Sequence, residues 1–388
     1  MPTERLYYTD AYCSRFTATV VDASDGGTRV YLDRSAFYPT SGGQPFDLGT
    51  LGGVAVRDVV DEDDRVAHLL AAPLAPGTAV EGEVDWARRF DLMQQHTAQH
   101  LLSAIFADRY GWPTVSVHFG DESATLDLDV GQVDAAVLRE AERQANAVVT
   151  ENRPVVVSFE DAATATGLRK ASERTGVLRI VSITGLDRSA CGGTHVRHTG
   201  EIGVILLRKV ERVKKQVRIE FLAGGRAVRR ARQDQELLAT LAAAFSAGAD
   251  EVPALVEGQR AQLKEAEALR RALVEQLAGY RLRDLHAGAA PDAGGVRRIR
   301  YAAQPGDDLR ALGQAATQLA GTVFLATSEA PPTILLATSA DSGVDAGAVL
   351  KAALSAAGGR GGGSPRLAQG TVPDAAALAA VRAQVEGS

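Results

Sequence analysis

The period of the hydrophobic pattern changes at Trp86, and this change divides the chain into regions of different secondary structure. Before it, residues 3–85 alternate apolar and polar side chains in short runs that Gly, Asp and Pro interrupt. A period of two with frequent turn residues is typical of a small β barrel or sandwich. From Trp86 to Tyr110 the apolar residues recur at helical spacing, and Gly111 and Pro113 end the pattern. The sequence therefore predicts a β domain followed directly by a helix.

The patterns beyond this helix predict an α+β protein with several domains. Strand and helix patterns alternate over residues 86–222, as in helices packed on a mixed or antiparallel sheet. The stretch 224–286 is rich in Ala, Leu, Glu and Arg, which predicts a long helical hairpin or a coiled coil. Short apolar runs and helical patterns then alternate again. We expect a β barrel at 1–85, an α+β domain at 86–223, a helical arm at 224–287 and a small α/β domain at 288–388.

Two glycine-rich segments predict loops. Residues 38–45 read YPTSGGQP, and their two glycines permit positive φ or the close approach of another backbone. A tight turn explains the same residues. Residues 358–365 read GGRGGGSP, which by composition is a flexible linker, but the ordered patterns on both sides favour a loop that a backbone or phosphate approaches closely.

Composition excludes several classes of protein. The chain has 388 residues, of which 45% are hydrophobic and 23% charged, as in an ordinary globular protein. No run of about 18 apolar residues occurs and residues 1–10 are polar, so we expect no membrane span, no signal peptide and a cytoplasmic location. Cys13 and Cys191 are the two cysteines, which excludes a disulfide framework.

The distribution of charge differs from the net charge of -6. Residues 208–232 hold ten basic residues against Glu211 and Glu220, an excess of eight positive charges. Such a basic stripe suits the neutralisation of nucleic-acid phosphates, and the adjacent Lys214 and Lys215 are its candidate contacts. A solvated surface explains the stripe equally well.

Four residues form a candidate metal site. His96 and His100 stand at i and i+4 in the predicted helix, so their imidazoles project from one face. Cys191 and His195 enclose two glycines, which allow a turn that aims both side chains inward. Three His nitrogens and one Cys sulfur suit tetrahedral zinc. An inert buried Cys191 beside structural histidines is the alternative, but it leaves the glycine-lined turn unexplained.

The residues around these positions resemble a known family. Residues 96–104 (HTAQHLLSA), 189–196 (SACGGTHV) and 199–203 (TGEIG) are similar to the editing domain of alanyl-tRNA synthetase and to its freestanding AlaX relatives. Residues 38–49 resemble the family's glycine motif, and 361–370 resemble the synthetase's DHH-associated C-terminal domain. The resemblance covers nearly the whole chain and is weakest in the helical arm.

The resemblance implies an editing hydrolase of the long AlaX type. The barrel pattern begins at the first residues, so we expect hydrolysis but no synthesis of aminoacyl-tRNA. A synthetase pocket for alanine rejects serine and glycine poorly, so a second site must remove them. The expected substrate is alanine tRNA carrying serine or glycine. The family's zinc ligands map onto His96, His100, Cys191 and His195, with one zinc ion per chain.

Further polar residues are candidates for the site. His118 and Thr97 are candidate catalytic residues, although His118 is as readily structural. The loop Ser41, Gly42, Gly43 and Gln44 is a candidate cover for the acceptor end of the tRNA. Asp187 either orients a ligand imidazole or forms a turn. The sequence leaves open whether zinc activates water or orients the substrate.

Two other functions compete with this interpretation. A tRNA-binding or assembly module with a structural zinc site is compatible with four ligands and a helical arm. A zinc peptidase is disfavoured, because residues 97 and 98 are Thr97 and Ala98, and Thr97 stands where the H-E-x-x-H signature requires its general-base Glu. The leucine-rich arm needs a partner, which is either its own second helix folded back or the same segment of another subunit. The resemblance to the synthetase's C-terminal domain implies a homodimer through the arm and the C-terminal domain.

Overall fold

The computed structural model describes residues 1–171, 173 and 175–387. Its mixture of helices and several sheets confirms the predicted α+β class. The chain divides into two compact units, Met1–Thr240 and Leu241–Ser388. The finer division into four parts remains a prediction.

The N-terminal β domain consists of eight strands. Six of them pair in the cyclic order β2, β3, β7, β6, β5, β8, with β8 pairing back onto β2, and β1 pairs with β4. Their inward side chains form one apolar core that includes Val20, Leu32 and Phe37. The strands are β1 Glu4–Arg5, β2 Arg15–Ser24, β3 Arg29–Leu32, β4 Arg34–Ser35, β5 Gly49–Leu51, β6 Val54–Glu62, β7 Arg65–Leu70 and β8 Ala79–Val84.

Helix α1 (Trp86–Tyr110) follows at once, with the predicted bounds. The Asp85 side chain accepts the amide N–H of Arg88 at its start, and Gly111 ends it in the left-handed conformation at φ 68°. Leu101, Leu102 and Phe106 bury its apolar face in the core. The following elements are β9 Thr114–Phe119, β10 Ala124–Leu128, α2 Ala135–Thr150, β11 Val155–Asp161, β12 Val177–Ile183, β13 Asp187–Ala190, β14 Ile205–Val213 and β15 Gln216–Ala223.

Two antiparallel sheets accompany α1. One has the order β14, β15, β10, β9, and the other has the order β11, β12, β13. The apolar face of α1 packs against the first sheet and α2. The second sheet leads from β13 directly into Cys191, and so it sets where the candidate turn leaves the sheet.

Helix α3 (Gly225–Ala244) contains the boundary between the two units. In the second unit, a five-stranded sheet has the order β16, β17, β18, β20, β19, and α6 with α7 covers one core while α4 with α5 covers another. Its elements are α4 Val252–Gly288, β16 Arg297–Ala302, α5 Leu309–Ala316, β17 Thr322–Glu329, β18 Pro332–Thr338, α6 Ala346–Ala356, β19 Arg360–Ser364, β20 Leu367–Thr371 and α7 Ala375–Glu386.

The glycine-rich segment at 358–365 is a strand and not the predicted loop. Arg360–Ser364 forms the edge strand β19 and pairs antiparallel with β20. A Cβ on Gly361 would lie 2.4 Å from the carbonyl oxygen of Gln369, so glycine permits the close approach of a neighbouring backbone. The predicted close approach is therefore correct, but the partner is the next strand.

In the described part of the chain, none of the helices combines the length and the apolar character that crossing a membrane requires.

Candidate metal centre

Helix α1 and the turn after β13 bring the four predicted ligands together. His96 and His100 lie one turn apart on α1, and Cys191 and His195 enclose the turn. The candidate ligand atoms of all four lie within 4.8 Å of one another. Each histidine is at most 4% exposed. The predicted cluster thus exists, and it could hold a metal ion.

Each of the three histidines is held through Nδ1 by a different partner. Nδ1 of His96 lies 2.8 Å from Oε1 of Gln44. Nδ1 of His100 lies 2.8 Å from Oδ2 of Asp187. Nδ1 of His195 lies 3.2 Å from Oγ1 of Thr97, whose own proton goes to a carbonyl of α1. All three partners accept a hydrogen bond from Nδ1, so in the neutral form of each ring Nε2 has its lone pair available for a metal.

The distances to the sulfur fit a tetrahedral ion. Sγ of Cys191 lies 3.5 Å from Nε2 of His96 and 3.3 Å from Nε2 of His195. Ligand bonds of about 2.3 Å to sulfur and about 2.0–2.1 Å to nitrogen place such atoms about 3.5 Å apart in a tetrahedron. The amide N–H of Gly193 also donates to Sγ at 3.4 Å, which stabilises a thiolate.

Gly193 is required by the closeness of the turn to α1. A Cβ at this position would lie 2.2 Å from Cε1 of His96 and 3.0 Å from Oε1 of Gln44. Its φ lies outside the left-handed region, so space and not backbone conformation demands glycine. The turn therefore lies directly against the His96 ring.

Before a metal binds, the buried charges around the cluster favour the doubly protonated form of His100 and the neutral form of His195. Burial opposes protonation of His100, but its hydrogen bonds to Asp187 and Cys191 raise its pKa to about 9. Burial raises the pKa of Asp187, yet His100 and Arg169 together lower it to about 2. Burial lowers the pKa of His195 to about 3. Burial also opposes ionisation of Cys191, but the histidines hold its pKa well below the usual value, as a metal-binding thiolate needs.

A buried ion pair fixes the glycine-motif loop to α1. Arg89 and Asp47 are both fully buried, and Nε of Arg89 donates to Asp47 at 3.0 Å. Asp47 also accepts the amide N–H of Tyr38 at 2.6 Å. The loop between Tyr38 and Asp47 is thereby held at both ends, which delivers Gln44 to His96.

A cavity of about 550 Å³ opens beside the cluster. His96, His100 and Cys191 contribute to its wall, as do Ser41 and Gly42 of the predicted covering loop. Gln44 of the same loop is instead fully buried, and its side-chain amide forms hydrogen bonds with Thr194 and His96. Gly43 adopts a φ of 85°, and a Cβ at this position would lie 3.1 Å from the carbonyl oxygen of Val117. The loop therefore divides into a half that faces the cavity and a half that supports the metal ligands.

One arginine on the cavity wall was not a candidate in the sequence. Arg179 of β12 is 8% exposed, and its guanidinium donates to the carbonyl oxygens of Cys191 at 2.6 Å, Gly193 at 3.0 Å and Tyr8 at 2.9 Å. Burial lowers its pKa. Arg179 stands within a mostly apolar strand pattern, and nothing in the sequence indicates its contact with the Cys191 turn.

The structure does not bring His118 to the cluster. His118 is exposed on β9 opposite Thr125, whereas the next residue, Phe119, is buried with its ring 5.1 Å from that of His96. Because side chains alternate along a strand, Phe119 faces the site and His118 faces away. Thr97 is fully buried and contacts His195, so it supports a ligand and does not reach the cavity wall.

The basic stripe is partly neutralised. Four of its arginines form ion pairs, with Glu220, Asp127, Asp91 and Asp234 as the respective partners of Arg208, Arg218, Arg226 and Arg230. Lys214 and Lys215 are exposed in the turn between β14 and β15. Three of the acidic partners lie outside the stripe, so counting charge along the sequence overstated its excess.

Two domain families match parts of the chain. Residues 178–220 match the threonyl and alanyl tRNA synthetase second additional domain. Residues 298–387 match the DHHA1 domain. The first match contains Arg179, Cys191 and His195, and the second covers most of the five-stranded sheet unit.

Full-length relatives align over most of the chain. The alanine–tRNA ligase of Methanoregula boonei is 34% identical over 401 residues, covering 96% of this chain and 42% of the ligase. The alanyl-tRNA editing protein Aarsd1 of Bos taurus is 32% identical over 308 residues, covering 74% of this chain and 69% of that protein. Aarsd1-B of Xenopus laevis is 32% identical and covers 65% of this chain. The chain thus spans less than half the length of the matching ligase and over two thirds of the bovine editing protein.

Proposed function

The chain belongs to the family of alanyl-tRNA editing proteins, and from that premise we propose that it hydrolyses the ester between serine and alanine tRNA. It acts in trans on tRNA that a synthetase has mischarged. Glycine on the same tRNA is its second substrate. The ligase relatives supply the connection to alanine tRNA, and the editing relatives supply the connection to deacylation.

One observation carries this proposal: the candidate metal cluster forms part of the wall of a cavity of about 550 Å³. A purely structural metal site is closed by its protein ligands, whereas a catalytic site leaves access for substrate or water. Cavities of roughly 300–1,000 Å³ accommodate small-molecule ligands. The cavity therefore suits an aminoacyl group attached to a terminal ribose.

The metal is proposed to be zinc, with one ion held by His96, His100, Cys191 and His195. Three imidazoles and a thiolate are ligands that zinc prefers. When bound, zinc supplies a Lewis acid that polarises a carbonyl or a water molecule. Gln44, Asp187 and Thr97 orient the three imidazoles.

The reaction needs only water as a co-reactant. Water adds to the ester carbonyl carbon, the bond to the ribose oxygen breaks, and that oxygen takes a proton from the water. Free serine and uncharged tRNA result, and the second proton of the water is released to solvent when the serine carboxyl ionises. Discrimination against correctly attached alanine requires a hydrogen bond to the serine hydroxyl, which alanine cannot form.

The tRNA is proposed to contact two surfaces of the first unit. Ser41 and Gly42 lie on the cavity wall, where the acceptor end of the tRNA would enter. Lys214 and Lys215 form an exposed pair of positive charges that suits the phosphate backbone.

A homodimer through α4 is proposed as the assembly. Leu263, Leu273, Leu277 and Tyr280 are each at least 55% exposed. Their spacings combine steps of three and four residues, which is the pattern of a helix that packs against an identical helix.

Deacylation of seryl-, glycyl- and alanyl-tRNA(Ala) by metal-loaded protein tests the function. Hydrolysis is expected in the order serine, glycine, alanine, with alanine slowest by at least 100-fold. The matched control is Cys191→Ala, which removes a ligand without adding bulk. Binding of tRNA with no hydrolysis of any ester would favour the alternative function, a tRNA-binding module with a structural metal.

A further inference from the structure

Arg179 is a buried cation that lacks a carboxylate partner within the described ranges. Its three hydrogen bonds go to neutral carbonyl oxygens, those of Tyr8, Cys191 and Gly193. These bonds use Nε and Nη1 of Arg179. Among the residues that the structure describes, Nη2 has no hydrogen-bond partner. The residue contributes to the wall of the cavity beside the metal cluster.

Other arginines around this site are neutralised by an acid. Arg89 pairs with Asp47, and both are fully buried. Arg5, which lines the same cavity as Arg179, pairs with Asp61 at 2.6 Å. Burying a charge without a counter-ion opposes folding, so stability alone does not account for an arginine at this position.

Metal binding would leave this positive charge uncompensated. The carbonyl oxygen of Cys191 accepts a hydrogen bond from Arg179, and the sulfur of the same residue would be bound by the ion. A divalent ion bound by one thiolate and three neutral imidazoles keeps a net positive charge. The cavity wall then carries two adjacent positive centres, which attract a negatively charged oxygen.

We infer that Arg179 binds, through Nη2, the oxygen that becomes negatively charged when water adds to the ester carbonyl. This assignment rests on the proposed function. Addition of water moves the carbonyl π electrons onto that oxygen, and their return expels the ribose oxygen. A donor fixed in advance acts most strongly where charge develops. Two of the three guanidinium nitrogens of Arg179 are fixed by carbonyls, so the third has a defined direction.

Two other roles for Arg179 are consistent with the same contacts. It could bind a phosphodiester oxygen at the end of the tRNA, or it could only hold the Cys191 turn in place through the carbonyl oxygens. The test separates these roles with Arg179→Gln, which removes the charge, and Arg179→Lys, which keeps it without the fork. The guanidinium of Arg179 lies 5.6 Å from the centroid of the Tyr8 ring. Arg65→Gln is the control, because Arg65 likewise lies over a tyrosine, Tyr31, but is paired with Asp22.

The first measurements do not need catalysis. Cobalt-loaded protein reports the ligand set through its visible absorption, and calorimetry measures binding of inorganic phosphate. We expect the spectrum to be unchanged in all variants and phosphate affinity to fall at least tenfold in Arg179→Gln alone. Loss of the cobalt spectrum would make Arg179 a structural clamp and overturn the inference. Equal phosphate affinity in wild type and Arg179→Gln would also overturn it, whether or not the protein hydrolyses any ester.

The second measurement compares seryl-tRNA(Ala) with seryl-adenosine, which carries no phosphate. We expect Arg179→Gln to lower kcat about 100-fold on both substrates with KM within threefold, and Arg179→Lys to recover part of the loss. A loss confined to KM for the tRNA would assign the anion to a phosphodiester instead. If the Gln variant does not fold, full activity of Arg179→Lys on seryl-adenosine would overturn the assignment. Wild-type protein that hydrolyses neither substrate would disprove the proposed function, whereas the phosphate measurement would still decide whether Arg179 binds an anionic oxygen.

Discussion

Oε1 of Gln44 lies 2.8 Å from Nδ1 of His96, although 52 positions separate the two residues. Gln44 belongs to the N-terminal β domain and His96 to α1. The same oxygen accepts the amide N–H of Thr194 at 3.2 Å, and the Gln44 amide donates to Oγ1 of Thr194 at 2.8 Å. One buried side chain thus connects the β domain, the ligand helix and the turn that carries the other two ligands.

Gln44→Ala is expected to weaken metal binding by about 10–100-fold, because loss of an outer partner of a ligating histidine has an effect of that size. The Nδ1 proton of His96 would lose its acceptor, and its ring would lose its fixed orientation. Competition with a chromophoric chelator measures the affinity.

Gln44→Glu provides the matched variant, since a carboxylate still accepts from His96 and Thr194. Its metal affinity is expected to stay within threefold of wild type. Ser41→Ala, in the cavity-facing half of the same loop, should leave the affinity unchanged. Equal affinity in Gln44→Ala and wild type would show that Gln44 does not control His96.

Purified protein is expected to bind about one zinc ion per chain, with Zn–S distances of about 2.3 Å and Zn–N distances of about 2.0–2.1 Å by X-ray absorption. His96→Ala and His195→Ala should each lose metal and deacylation together. His118→Ala is the control histidine and should keep its metal, because the ring lies on the outer face of β9. Activity in a metal-free ligand variant would assign the ion a structural role.

Local patterns predicted what local physics determines. The bounds of α1 follow from the Asp85 cap, the helical period and Gly111, all of which lie next to each other in the chain. The grouping of the four candidate ligands follows from two short motifs whose residue chemistry suits one ion. Asp187 lies four residues before Cys191, and the predicted contact with a ligand imidazole is present at His100.

Contacts that depend on long-range packing could not be predicted. The sequence favoured substrate contact for Gln44, whereas docking of its loop by Arg89 and Asp47 buries it against His96. The sequence predicts His118 near the site, because it follows the helix that carries His96 and His100. Side chains alternate along β9, however, so that Phe119 and not His118 faces the His96 ring. Arg179 reaches the Cys191 turn only because β12 and β13 are paired.

His68 is expected to make the stability of the β domain depend on pH. Its ring is fully buried, and Nε2 lies 2.7 Å from Oγ of Ser35. Burial lowers its pKa from 6.5 to about 4. The unfolded chain therefore binds more protons than the folded one between these values, so stability falls as the pH drops from 6.5 toward 4. At pH 5 the loss relative to neutral pH is about 2 kcal/mol.

Urea unfolding at pH 7 and pH 5 measures this loss in wild type and in His68→Gln, which does not titrate. The variant should be less stable at pH 7, and its disadvantage should shrink by about 2 kcal/mol at pH 5. Release of metal at acidic pH affects both proteins and cancels in the difference. A difference independent of pH would mean that His68 is already protonated or exposed in the folded state.

Replacing Lys214 and Lys215 together by Ala is expected to weaken tRNA binding and to lower the salt slope of log K by about 2, since two phosphate contacts disappear. Deacylation at saturating tRNA should be nearly unchanged. The double Lys→Arg variant keeps both charges and should bind like wild type. Unaltered affinity in the Ala variant would make this pair a solvated surface.

Truncation can separate the ester-cleaving unit from the rest, and the structure indicates where to cut. Arg226 of α3 pairs with Asp91 of α1 at 2.6 Å and donates to the carbonyl oxygen of Gly120 at 2.7 Å. A cut after Gly224 would remove these contacts, whereas the first compact unit extends to Thr240. The shorter fragment is therefore expected to unfold at a lower temperature than the fragment ending at Thr240.

The fragment Met1–Thr240 should be a metal-binding monomer that hydrolyses seryl-adenosine with the kcat of the full chain, because all four ligands and Arg179 lie within it. Its KM for seryl-tRNA(Ala) should rise at least tenfold, because we expect the helical arm and the C-terminal domain to supply further contact surface for the tRNA beside the two surfaces of the first unit. Sedimentation analysis, metal content and the two substrates measure these outcomes. If the fragment were folded and metal-loaded but inactive on seryl-adenosine, residues after Thr240 would have to belong to the active site. A dimeric fragment would exclude α4 as the sole contact between subunits.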